Sequence, residues 1–235
     1  MERITLHVQD GSAMEAFVAR PSGAAGPGLL VLQEAFGVNA HIRAVAQRYA
    51  DLGFTAIAPE LFHRTAAPGW EAPYGGDFSA IQPHFAGLTP QGLIADMRAA
   101  YRWLCDDAKI APRRIAAIGY CMGGRCAYLA NSELPLAAAI SYYGGGIAPD
   151  LLDRAATQHA PLLMFWGGAD KHIGEDQRRA VGHALDAAGK HHAQVVFSWA
   201  DHGFNCDARP SYDASASREA LALVLETLRA NRVLD

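Results

Sequence analysis

Between residues 28 and 200 the chain repeats one rhythm, a short apolar run followed by a longer amphipathic stretch and then another apolar run. "GLLVLQE" (28–34) precedes "NAHIRAVAQRYADLG" (39–53), whose apolar residues recur at helical spacing from an Asn cap to a closing glycine. "FTAIAPE" (54–60) then returns to strand. The same alternation predicts a helix near 90–106, a strand over 113–119, a helix from 122, and strands over 136–145 and 161–168. A helix near 174–188, a strand over 193–200 and a last helix near 214–230 complete the series. Apolar runs that do not alternate need burial on both faces, so the pattern specifies a mostly parallel sheet with helices on both faces. Residues 3–8 and 12–19 break the rhythm. They alternate polar and apolar around "QDGS" and predict an antiparallel hairpin at a sheet edge.

A composition of 51% hydrophobic and 19% charged residues supplies the core such a sheet needs. The expected organisation is one α/β domain over residues 1–235. Residues 60–90, "ELFHRTAAPGWEAPYGGDFSAIQPHFAGLTP", are rich in Pro, Gly and aromatics and lack clear periodicity. They leave the carboxyl end of a strand, where open α/β sheets bind ligands, and so read as a loop excursion over a pocket.

A net charge of −4 with no Lys/Arg cluster gives no field for nucleic acid. The amino terminus carries charge within three residues and lacks the apolar core of a signal peptide, and no apolar stretch reaches the ~18 residues of a membrane span. A soluble cytoplasmic protein follows, and a monomer is the default. Four cysteines occur in no zinc-like pairing, so the expectation is free thiols, no disulfide framework, no metal and no cofactor.

The chemistry starts at "IGYCMGGR" (118–125), where Gly119-Tyr120-Cys121-Met122-Gly123 has the G-x-nucleophile-x-G spacing of a strand-to-helix elbow. Residues two before and two after such a turn approach neighbouring main chain and must lack a Cβ. A helix starting at 122 aims its free amides and positive dipole at the sulfur, favouring thiolate and offering the Met122 N–H as an oxyanion donor. The motif alone is equally readable as a small apolar residue in a glycine-rich turn. Asp170 and His202, each following a predicted strand, tip that balance, because nucleophile, acid and histidine then fall in the chain order of α/β-hydrolases. Each has a bland alternative: a turn-forming or capping Asp, a surface His. His172 is too close to Asp170 for an easy partner, and His191 and His192 precede their strand. Cys105 and Cys126 read as core packing.

With "QEAFGVN" (33–39), "GGADKHI" (167–173) and "DHGF" (201–204) added, nearly the whole chain resembles the dienelactone hydrolase family of the α/β-hydrolase superfamily. The resemblance implies a Cys-His-Asp triad of Cys121, His202 and Asp170, a glutamate, Glu34, that holds the resting thiol, and a second oxyanion donor at the Ala35 N–H. Glu34 also has a physical argument: a carboxylate ending a buried strand needs a partner, and the neighbouring strand end carries Cys121. Its plainer alternative is a helix or loop cap. Phe36, Arg125, Tyr143, Phe204 and Arg209 are the candidate substrate contacts.

The implied activity is hydrolysis of a small ester or lactone through a thioester. A non-hydrolytic binding or thiol-sensing protein, or a hydrolase of another acyl substrate such as a thioester, remains open. The resemblance also implies two arginines for a substrate carboxylate, one within 60–90 and one four residues after the histidine. The second position is Cys206, and the first region offers only Arg64, so weak activity on dienelactone is expected unless Arg209 or Arg125 folds into the pocket.

Overall fold

The computed structural model describes residues 2–23 and 26–234. In chain order the elements are β1 (Glu2–His7), β2 (Ala13–Ala19), β3 (Gly28–Leu32), α1 (Ala40–Asp51), β4 (Thr55–Pro59), α2 (Gln82–Ala86) and α3 (Pro90–Asp106). They continue as β5 (Ile115–Tyr120), α4 (Met122–Glu133), β6 (Ala138–Tyr142), β7 (Leu162–Gly167), α5 (Glu175–Ala187), β8 (His192–Phe197) and α6 (Ala214–Ala230). One eight-stranded sheet runs β1-β2-β4-β3-β5-β6-β7-β8. The β1–β2 and β2–β4 pairs are antiparallel and all the others are parallel. The predicted hairpin therefore sits at one edge.

Every residue of β3, β4, β5, β6 and β7 is buried, whereas β8, at the other edge, is largely half-exposed. That difference is what the unbroken apolar runs encode. Helices α1, α3 and α6 start where short polar side chains can take orphan amides: Asn39 accepts from the Ile42 N–H, Thr89 from Gly92 and Asp213 from Ala216. Among the described residues no helix is long and apolar enough to cross a membrane.

Two departures from the sequence reading matter for the site. β3 ends earlier than its run, at Leu32 where the run extends to residue 34. There the Gln33 side chain takes over from the ladder, accepting from the Leu61 N–H at 3.0 Å and donating to the Glu34 carbonyl at 3.2 Å. The residues so released turn toward the carboxyl edge of the sheet. Segment 60–90, expected to be irregular, contains a 3-10 turn (Phe78–Ala80) and the short α2. These elements are too short to leave a periodic signal.

Candidate active site

Cys121 is the hinge between β5 and α4, with φ 55° and ψ −117°, a backbone state that few side chains tolerate. The neighbouring glycines show what holds it there. A Cβ on Gly119 would lie 1.8 Å from the Gly123 carbonyl oxygen, and one on Gly123 would lie 2.1 Å from that of Leu32. The Cys121 N–H donates to the Tyr142 carbonyl at 3.0 Å and its carbonyl accepts from Gly124 at 2.9 Å, so the turn is tied on both sides.

His202 and Asp170 come from the loops after β8 and β7. Asp170 Oδ2 lies 2.8 Å from His202 Nδ1, and Oδ1 accepts from the His172 and Ile173 amides at 2.7 and 3.2 Å. Burial favours the neutral Asp170, but these bonds, led by the one to His202, hold its carboxyl below the ordinary range. An ionised Asp170 only accepts, so Nδ1 carries the proton and Nε2 is left for the Cys121 sulfur beside it. Burial works against the charged His202 imidazolium too. The Asp170 hydrogen bond and the Cys121 sulfur outweigh it and push His202 up to about 10. The imidazolium form is therefore favoured beside the Cys121 sulfur.

These groups open into a cavity of about 460 Å³, within the range of small-ligand sites. Its wall includes Cys121, His202, Ala35, Met122, Phe36 and Arg209. The Ala35 and Met122 amides donate to no backbone or side-chain acceptor among the described residues. Of the candidate substrate contacts, Phe36 and Arg209 reach this wall and the other three do not. Arg125 lines a smaller cavity of about 70 Å³ and pairs with Asp150 at 3.4 Å. Tyr143 and Phe204 are fully buried beneath the site, their rings 5.3 Å apart and Tyr143 5.1 Å from His202, so they support the imidazole from below.

The family model described as "Dienelactone hydrolase family" matches residues 14–231. The chain belongs to the dienelactone hydrolase family. It is similar to a Salmonella typhimurium protein named "Putative carboxymethylenebutenolidase", 33% identical over 237 residues covering 95% of this chain and 85% of that one. A Pseudomonas protein named "Carboxymethylenebutenolidase" is 27% identical, with 97% and 94% of the two chains covered. A crystal structure titled as a putative dienelactone hydrolase from Klebsiella pneumoniae superposes with a TM-score of 0.86 at 30% identity, covering 97% and 98%. The chain is a dienelactone hydrolase-like hydrolase.

Three features of this dienelactone hydrolase family member were not foreseen. Glu34, expected to partner Cys121, is fully buried and accepts instead from the Tyr74 hydroxyl at 2.7 Å and the Arg209 guanidinium at 3.2 Å. Tyr74 and Arg209 satisfy the carboxylate from the loop side, which is the physical reason the thiol is not called on. Burial and then the Glu34 charge raise Tyr74 well above its usual range. The Arg209 guanidinium also lies over the rings of Phe36 and Tyr74, at 5.7 and 5.9 Å. Gly203 makes room for it, since a Cβ there would meet Arg209 at 2.5 Å.

Segment 60–90 supplies Phe78 and Phe85 to the cavity wall, and His172 joins them, its ring set edge-on to that of His202 with 5.4 Å between centroids. The aromatic richness of the segment was the available signal for the first two. Nothing in the sequence marked His172 as more than a neighbour of Asp170. Arg64 points elsewhere: its fork spans buried Asp96 and Asp10 at 2.6–3.0 Å, anchoring the start of the excursion. Among the described residues, Glu34, His41 and Cys206 are the one group of three or more His, Cys, Asp or Glu side chains close enough together to hold a metal ion.

Proposed function

We propose that this hydrolase cleaves a small ester or lactone through a thioester on Cys121. The observation that carries the reading is the strained Cys121 beside a His202 whose far nitrogen is fixed by Asp170. The thiolate attacks the carbonyl carbon and a C–S bond forms. The oxyanion meets the Ala35 and Met122 amides, which line the cavity without internal acceptors. As the C–O bond breaks, the His202 imidazolium gives its proton to the leaving alkoxide. His202, now neutral, takes a proton from water, the resulting hydroxide attacks the thioester, and the thiolate leaves with the imidazolium restored. Asp170 keeps the ring in one tautomer throughout.

Arg209 sets the substrate class. Cys206 cannot hold a carboxylate, but Arg209 reaches the same cavity, and its planar fork has donors beyond the one engaged by Glu34. A lactone or ester bearing a carboxylate is therefore the preferred substrate, the outcome reserved for the case in which Arg209 folds into the pocket. The deciding experiment is acyl trapping. Mixing the enzyme with an activated ester and quenching in acid is expected to give an adduct of the acyl mass on the peptide containing Cys121, absent from Cys121→Ala. Turnover without any such adduct, and undiminished in Cys121→Ala, sinks the thioester.

A further inference from the structure

The polar cluster behind Glu34 contains more than the hydrolysis above uses. His41, in the first turn of α1, and Cys206, on the loop after β8, are both buried with Glu34, and one ligand atom from each lies within 4.8 Å of the other two. His41 is the informative member. Its side chain is 1% exposed, Nδ1 lies 3.2 Å from Asp207 Oδ1, and Nε2 is buried without a hydrogen-bond partner among the described residues. A buried ring nitrogen left bare is unfavourable and calls for an explanation. A histidine with one nitrogen held by a carboxylate and the other free has the arrangement metal-binding histidines adopt.

We propose that Glu34, His41 and Cys206 form a zinc-binding site beside the active site, oriented by Asp207. One carboxylate oxygen, one imidazole nitrogen and one thiolate sulfur make a borderline donor set that suits Zn²⁺ with a fourth position open, and it does not suit the all-oxygen preference of Mg²⁺ or Ca²⁺. Side-chain shifts of about 1 Å close the triangle onto the ~2.0–2.3 Å bonds zinc makes. The two anionic ligands offset the metal's charge, and Glu34 must give up Arg209 and Tyr74 to reach it. Zinc at this site therefore inhibits hydrolysis, a consequence that rests on the reaction proposed above, whereas binding itself does not.

Cys121 and His202 are themselves a potential zinc pair, so the test begins with Cys121→Ala. Dialysis of this variant against Zn²⁺ with metal analysis is expected to give about one equivalent, and Co²⁺ in its place a thiolate-to-metal charge-transfer band. Adding Cys206→Ser should abolish the band and weaken binding at least tenfold; Asp207→Asn should weaken it roughly 10- to 100-fold. His41→Gln serves if Cys206→Ser does not fold. No bound metal in Cys121→Ala, or binding unaffected by these changes, overturns the site. In the otherwise native enzyme, zinc inhibition of ester turnover should weaken at least tenfold with Cys206→Ser. Inhibition that ignores Cys206 puts the effect on Cys121 and His202 and overturns the inhibitory role. Absence of any ester turnover would count against the proposed reaction and leave the binding result standing.

Discussion

The two sides of the cavity are built by different means. On one side Cys121, Asp170 and His202 stand at the ends of β5, β7 and β8, and the geometry comes from backbone that has almost no freedom, down to glycines whose Cβ atoms would collide with carbonyls. On the other, Glu34, Tyr74 and Arg209 meet through side chains carried on three loops, and only hydrogen bonds and ring contacts hold them together. Rigid backbone suits atoms that must meet a reacting carbon within fractions of an ångström. A side-chain cluster suits recognition, because it can rearrange. The two sides should therefore fail differently when altered: the first in kcat with the fold intact, the second in substrate preference and stability.

The largest expected effect tests the first side directly. Cys121→Ala should lower ester kcat/KM by roughly 10³-fold or more, because the thioester route is lost while Ala fits the elbow without new bulk. Far-UV circular dichroism and the unfolding midpoint should stay near those of the native enzyme. Retention of most of the rate would remove the contrast between the two sides, since the cavity would then act without the Cys121 sulfur.

Asp170→Asn comes next, with an expected fall of roughly 10²- to 10⁴-fold in kcat, the range for a disabled acid–base partner. Its pH signature is specific. The Asp170 hydrogen bond and the Cys121 sulfur push folded His202 up to about 10 from an ordinary 6.5, so the folded state holds a proton that the unfolded state loses between those values. The stability from this pair is thus complete below about pH 6.5 and is lost as the pH rises through about 10. Asp170 has the opposite sense: its lowered value contributes above the ordinary carboxylate range and is lost as the pH falls below it. Urea midpoints at pH 7 and pH 10 should therefore differ less in Asp170→Asn than in the native enzyme. An equal difference in both proteins would mean that Asp170 does not hold the imidazolium.

These contrasts also explain what the sequence could reveal. The elbow was legible because steric exclusion writes itself as spacing, Gly119 and Gly123 at two residues either side of Cys121. The sheet was legible because burial on both faces writes itself as unbroken apolar runs. Tyr74 and Arg209 around Glu34 were not legible as partners: they lie 40 and 175 residues from it, and no local pattern encodes a meeting of side chains across loops. The same holds for His41 with Cys206, which appeared at the sequence level as an ordinary helix residue and a missing arginine. The end of β3 was overextended for a related reason, since Gln33 and Glu34 directly continue an apolar run in the sequence but belong to the site by their hydrogen bonds.

On the second side, Arg209→Ala should change preference more than rate. A charge-assisted bond is worth ~1.5–3 kcal/mol, so kcat/KM for a carboxylate-bearing lactone should fall by about 10- to 100-fold relative to an uncharged lactone of similar size. The uncharged substrate should be affected much less. Equal losses on both substrates would assign Arg209 to holding Glu34 and not to recognition.

The smallest effect on turnover is expected from Tyr74→Phe, which removes one hydroxyl and leaves the ring tilted against Phe36, 4.6 Å between centroids. Glu34 would keep Arg209 as its partner but lose its shorter bond, 2.7 Å against 3.2 Å, in a position with no access to water. Loss of a hydrogen bond to a buried charge implies about 1.5–3 kcal/mol of stability, read as a lower urea midpoint at unchanged slope. The slope matters, because a change in it would mean that segment 60–90 had come loose as a whole. Glu34→Gln in the same background provides the control. A neutral amide has less need of the hydroxyl, so Tyr74→Phe should cost less when Glu34 is already Gln, and the difference between the two costs is the coupling of Tyr74 to the charge. Costs that simply add would show that the Tyr74 hydroxyl stabilises the fold independently of the Glu34 charge, and the second side of the cavity would then not be held by the bond between them.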